Sequence, residues 1–93
     1  MTVKEYFSKN PVKNDEGIFQ YSAVNIRFLN QCDEEDETQL NVSHSLKTQK
    51  GVDELAELFE SLCGEFDTTS DQVIDISVEA SAKTEAALIA MGY

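Results

Sequence analysis

The sequence predicts a single α+β domain: a three-stranded sheet of order 2-1-3 with helices on one face, in the chain order α-β-β-α-β-α. Three observations carry this. Residues Gly51 to Phe66 repeat apolar side chains at three- and four-residue steps, the period of an amphipathic helix. Thr38 to Lys47 and Val73 to Ala80 alternate apolar with polar residues, as half-buried strands do. Ile18 to Asn30 is apolar on both faces, which marks a strand in the middle of a sheet. At 93 residues the chain makes one domain, 1–93, with a modest core.

Each element has its local reasons. Thr2 with Glu5 three residues on fits a capping box for a short helix to Lys9, and Asn10-Pro11 stops it. Asn14-Asp15-Glu16-Gly17 is turn chemistry. In the first strand Ile18, Val24, Ile26 and Phe28 share one face, and Phe19, Tyr21, Ala23 and Leu29 share the other with Asn25 and Arg27. The outer pair Phe19 and Tyr21 is expected to pack under the N-terminal segment at Tyr6 and Phe7, or to make a protein contact. Gln31 to Glu37 reads as a polar, exposed link. The second strand, Thr38 to Lys47, turns Leu40, Val42, His44 and Leu46 inward.

The long helix buries Val52, Leu55, Ala56, Phe59, Leu62, Cys63 and Phe66. Gly64 is placed to cap its end. In the third strand Ile74, Ile76, Val78 and Ala80 are expected inward. Ser81 is placed to cap a last helix, Ala82 to Met91. A crossover through the long helix sets strand three parallel to strand two, which leaves the first strand central.

Charge is the strongest compositional feature: seven basic and eighteen acidic residues give a formal net charge of −11. Residues 1–31 are near neutral at +1, and residues 32–93 carry −12 from three lysines and fifteen acids. Such a surface repels nucleic acid and anionic membranes and attracts basic surfaces. The plainer reading is solubility. No apolar run approaches the roughly 18 residues of a membrane helix, and Met1 to Asn10 lacks the apolar stretch of a secretory signal. A cytoplasmic protein is expected.

Two groups of carboxylates are candidates for binding. Asp33, Glu34, Glu35, Asp36 and Glu37 are adjacent and repel one another, which keeps them exposed. A calcium loop needs alternating carboxylates and a glycine at the turn, and neither occurs. On the long helix Asp53, Glu57 and Glu60 follow at steps of four and three, with Glu54 beside them. Residues so spaced stand roughly 5–6 Å apart on one surface, comparable to the pitch of phosphates along a nucleic-acid strand. No lysine or arginine lies between Gly51 and Ala82, so the acids there have no local counter-charge.

Signs of chemistry are weak. His44 is the single histidine, set on the apolar side of a strand. Cys63 lies on the helix's apolar stripe and reads as a small hydrophobe. Cys32, next to five acids, is a poor nucleophile. Two cysteines make no disulfide framework and no zinc spacing. No enzyme, metal or cofactor is expected.

The acidic run Asp33 to Glu37, the helix acids Asp53, Glu54, Glu57 and Glu60, and the stretch without basic residues resemble the small acidic inhibitors that phages and mobile elements raise against host defence, of anti-CRISPR and antirestriction type. The resemblance implies a non-enzymatic inhibitor that mimics nucleic acid and binds a basic, nucleic-acid-binding protein, without itself binding nucleic acid or membrane. The alternative is a structural or self-associating protein, a homodimer through a sheet face or edge, whose acidity only solubilises.

Overall fold

The computed structural model describes residues 1–12 and 20–93. The turn expected at Asn14 to Gly17 and the strand positions Ile18 and Phe19 lie outside the described residues. The elements are α1 (Val3–Lys9), β1 (Tyr21–Leu29), β2 (Glu35–Val42), α2 (Gln49–Leu62), β3 (Val73–Ala82) and α3 (Glu85–Ala90). The sheet order is β2-β1-β3, with β1 antiparallel to both neighbours, so β2 and β3 run parallel. This is the mixed α+β arrangement that the hydrophobic periods predict.

The main core is built on one face of β1. Val24, Ile26 and Phe28 are fully buried and cluster with Val3 of α1, with Leu55 and Phe59 of α2, and with Val73 and Ile76 of β3. The Phe28 ring lies 5.5 Å from both Phe59 and Phe66. α1 is held by the expected capping box: Thr2 Oγ1 accepts the Glu5 N–H at 3.1 Å, and Glu5 Oε1 accepts the Thr2 N–H at 3.1 Å.

The third helix departs from the expected single helical layer. Ala23, Ala82 and Leu88 form a second cluster with Tyr21, Ala80, Ala87 and Tyr93. Ala23 alternates with Val24 along β1, so this cluster lies on the face opposite α1 and α2. Two register shifts in β3 go with this, and the one between Ala23 and Val24 turns Ala80 and Ala82 to that face. The two shifts leave Ile74 and Glu79 as extra residues, and each bulge exchanges the faces of the strand residues beyond it. The row expected inward therefore splits. Val73, Ile76 and Val78 face α1 and α2, Ile74 is only half-buried, and Ala80 turns toward α3. Tyr21 accordingly packs with α3, while Tyr6 and Phe7 pack on the main core.

The bounds of β2, α2, β3 and α3 also move. β2 begins at Glu35 and ends at Val42, so Glu35 to Glu37 belong to a strand, and His44 and Leu46 to the connection after it. The Asn30 side chain closes the hairpin early, with Oδ1 accepting the N–H groups of Cys32 (2.9 Å) and Glu34 (3.1 Å). α2 starts after Thr48, whose hydroxyl oxygen accepts the Gly51 N–H and whose own proton goes to Ser45 O at 2.6 Å. It ends at Leu62 with no left-handed glycine: Asp67, at φ 54°, makes the positive-φ turn instead of Gly64. β3 continues through Ala82, so Thr84 and not Ser81 caps α3, accepting the Ala87 N–H at 3.1 Å.

Candidate functional site

The topology sorts charge by end. The β1–β2 hairpin rests on the α2–β3 connection: Gln31 N–H donates to Asp67 O (2.7 Å), the Thr68 hydroxyl donates to Leu29 O (2.5 Å), and Leu29 N–H donates to Gln72 O (3.1 Å). The hairpin acids Asp33 to Glu37 thus share one end of the domain with Asp67 and Asp71, and with Glu60 and Glu65 at the end of α2. The N-terminal ammonium sits there too, donating to Asp71 O at 2.6 Å and Val73 O at 3.1 Å.

The opposite end holds lysines. A cleft lined by Phe7, Ser8, Pro11 and Val12 on one side and by Leu46 to Gln49 on the other places the end of α1 beside the start of α2. Lys9, Lys47 and Lys50 therefore gather at that end. Lys83 follows the last residue of β3, which pairs with the first residue of β1 at the same end.

Within the acidic half the candidates fall on two flanks. Asp33 and Glu34 are exposed in the hairpin loop, and Glu35, Asp36 and Glu37 are exposed along β2. β2 is an edge strand, and Glu37 stands opposite Arg27 of β1. Asn25 Nδ2 donates to Glu37 Oε2 at 3.2 Å, which fixes one carboxylate of the run on the open sheet face. On the other flank a groove between α1 and α2 is lined by Thr2, Lys4, Asp53, Glu57 and Glu60. Glu57 and Glu60 are exposed there. Asp53 is committed locally: it accepts from Gln49 Nε2 at 2.8 Å and pairs with Lys4 at 3.4 Å. Donation from Gln49 and then the Lys4 charge hold its carboxyl below the usual range.

Glu54 does not belong to this surface. It faces the connection after β2, where Oε2 accepts the Ser43 hydroxyl at 2.6 Å and Oε1 accepts the Ser43 N–H at 2.8 Å. His44 Nδ1 lies 3.2 Å from Oε1. Burial alone would raise this carboxyl's pKa, but donation from Ser43 and contact with His44 outweigh it, and the net shift is downward. Ser43, His44 and Glu54 meet, yet not as a nucleophile relay. In such a relay the hydroxyl donates to the imidazole and the acid orients the imidazole's far nitrogen. Here the serine proton goes to the carboxylate, which braces the connection.

The other reactive side chains are separate. Cys63 is buried, and its Sγ donates to Phe59 O at 3.3 Å. Burial pushes its thiol up, with Glu60 and Asp71 adding to the effect. Cys32 is exposed in the hairpin. Among the described residues no three histidine, cysteine or carboxylate side chains converge as metal ligands. No described helix is long and apolar enough to cross a membrane.

Sequence reasoning missed the roles of Glu54 and Lys4. The i, i+4 pair Gln49–Asp53 was a usable signal for Asp53. The Glu54 contacts depend on where β2 ends, which the alternation of residues 38–46 concealed. Comparison with protein-family models, with curated proteins and with solved structures gives no match.

Proposed function

We propose that this chain is a non-enzymatic acidic binding protein that inhibits or sequesters a basic nucleic-acid-binding protein by presenting carboxylates where that protein expects phosphates. The observation that carries the proposal is the concentration of exposed carboxylates from the hairpin, β2 and the end of α2 at one end, while Lys9, Lys47, Lys50 and Lys83 gather toward the other. A polarised field of this kind steers a basic partner toward the acidic end and speeds encounter. The exposed carboxylates Asp33, Glu34, Glu35, Asp36, Glu37, Glu57 and Glu60 are the contacts. Asp53 supports the α1–α2 groove, and Glu54 is structural. The resemblance to phage and mobile-element anti-defence inhibitors supplies the partner class, and the cytoplasm is the compartment in which such a partner is met.

The test is capture from a bacterial lysate on the tagged protein, washed at low and at high salt. A nucleic-acid-binding protein held at low salt and displaced by DNA or RNA is the expected outcome. Retention that ignores salt counts against the proposal. Glu57→Lys with Glu60→Lys leaves the fold unchanged by circular dichroism and weakens capture at least about tenfold, since two attractive contacts become repulsive; unchanged capture moves the contact to the β2 flank.

A second reading, self-association, draws on one feature. Ile89 and Met91 at the end of α3 are 59% and 55% exposed. A salt-insensitive dimer in sedimentation, lost on Ile89→Ser, supports it; a monomer removes it.

A further inference from the structure

We infer that the outer edge of β2 receives an extended, lysine- or arginine-rich segment of the partner as an added strand. This rests on the acidic-surface reading of the function and specifies how the contact is made.

The backbone directions are fixed by one hydrogen bond. Leu29 N–H donates to Gln72 O, on the β3 side of β1. Backbone groups alternate sides along a strand, so the odd-numbered residues of β1 bond toward β3 and the even-numbered ones toward β2. Ser22, Val24, Ile26 and Phe28 stand opposite Val42, Leu40, Thr38 and Asp36. Those four β2 residues bond to β1, and Glu35, Glu37, Gln39 and Asn41 direct their N–H and C=O groups outward. One outward donor is met locally: Asp36 Oδ1 accepts the Glu37 N–H at 2.8 Å.

The two edges of the sheet are treated differently. On the outer side of β3, Val73 N–H donates to Met1 O (2.9 Å), the Met1 ammonium donates to Val73 O (3.1 Å), and the Tyr6 hydroxyl donates to Ile76 O (3.0 Å). The N-terminal segment thus covers the Val73 to Ile76 part of that edge. Among the described residues the outward backbone groups of β2 make no backbone–backbone hydrogen bond, and at the far end Asn41 Nδ2 donates to the Tyr93 carbonyl at 2.8 Å. An open edge is a template for an extended peptide, with main-chain bonds giving affinity and alternate side chains giving selectivity.

Charge selects the occupant. Glu35 and Glu37 project on the open sheet face, Asp36 on the other, and Asp33 and Glu34 continue the acidity into the loop. A second copy pairing through the Glu35 to Glu37 part of this edge would set carboxylates against carboxylates, which is unfavourable across strands. A segment with lysine or arginine at alternate positions brings opposite charge beside Glu35 and Glu37, and opposite charges across strands attract.

The test uses the whole protein and a synthetic peptide alternating lysine with threonine, monitored by NMR at low salt. The amides of Glu35, Gln39 and Asn41 are expected to exchange more slowly on binding, while those of Asp36, Thr38 and Leu40 stay as they were. A peptide of identical charge, N-methylated at alternate residues so that it cannot donate to the edge, binds at least about tenfold more weakly. Gln39→Pro removes an outward donor without breaking the β1–β2 ladder and is expected to weaken binding by a similar factor; should it fail to fold, the peptide pair decides. Equal binding of both peptides, with outward amides exchanging as in the free protein, overturns strand addition and leaves the acidic-surface reading intact. Failure of both peptides to bind overturns both readings. Protection of the outward amides that grows with protein concentration alone makes a second copy the occupant and also overturns the inference.

Discussion

Glu54 shows how one carboxylate can be taken out of a surface that its neighbours form. Its two oxygens receive both the hydroxyl and the N–H of Ser43 and touch His44, so it fixes the chain where β2 leaves the sheet. Its pKa in the fold is lower than the ordinary value of 4.5. A carboxyl with a depressed pKa contributes stability in full above its unfolded value, and that contribution is lost as pH falls through the folded value. Glu54→Gln keeps the shape and removes the charge. It is expected to cost about 1–2 kcal/mol at neutral pH, in line with the loss of charge-assisted hydrogen bonds. Urea titrations read this directly: the gap between the two proteins is full near pH 7 and narrows as pH falls below 4.5. A gap that does not narrow anywhere in the acid range over which the protein stays folded would mean that the charge is not what Ser43 and His44 recognise. The charge steps along α2 place Glu54 beside Asp53 in sequence. Which flank each faces is set by the connection to β2, and no local pattern in the sequence encodes it.

At the scale of elements, legibility followed hydrophobic period. α2, β1 and the α1 capping box have strong local signals, and their existence, type and order are as the sequence predicts. β3 also exists where its alternation starts, but a period of two cannot announce a bulge. The extra residues Ile74 and Glu79 appear only once β1 imposes its own register. β2 lies N-terminal of the span its alternation predicts, for a related reason. Five adjacent carboxylates argue for a loop because they repel, yet an edge strand exposes them nearly as well. The pairing of Leu29, Phe28 and Arg27 with Glu35, Asp36 and Glu37 extends the hairpin once Asn30 closes it.

The join between β2 and α2 depends on a glycine for space and not for dihedral freedom. A Cβ at Gly51 would run into the backbone carbonyl of Ser45, with His44 O also in close approach. In an open helix, glycine to alanine gains about 1 kcal/mol of propensity. Here the first turn of α2 or the Ser45 carbonyl must move, so Gly51→Ala is expected to destabilise by about 1–3 kcal/mol despite that gain. A stability curve that rises instead would show that the connection is slack.

For the whole molecule, the separation of charge has two consequences of opposite sign. Carboxylates crowded at one end repel one another in the folded state more than in an open chain, and Lys4, Arg27 and the N-terminal ammonium, the cations that lie among them, are outnumbered. Salt screens this repulsion, with a Debye length of about 10 Å at 0.1 M. Raising sodium chloride from about 20 mM to about 300 mM is therefore expected to raise the melting temperature by about 4–8 °C, the shift that about 1 kcal/mol gives a domain of this size. The same salt weakens attraction to a basic partner, so capture falls over the range in which stability rises. Neutralising exposed carboxylates at the acidic end, with Asp33→Asn, Glu34→Gln and Glu65→Gln together, should reproduce both effects at low salt and flatten the response of each. Acidity that served only to solubilise would show the first effect without the second. A melting temperature indifferent to salt, or lowered by it, would mean that local pairs already compensate the carboxylates, and the polarised field would lose its role in recognition.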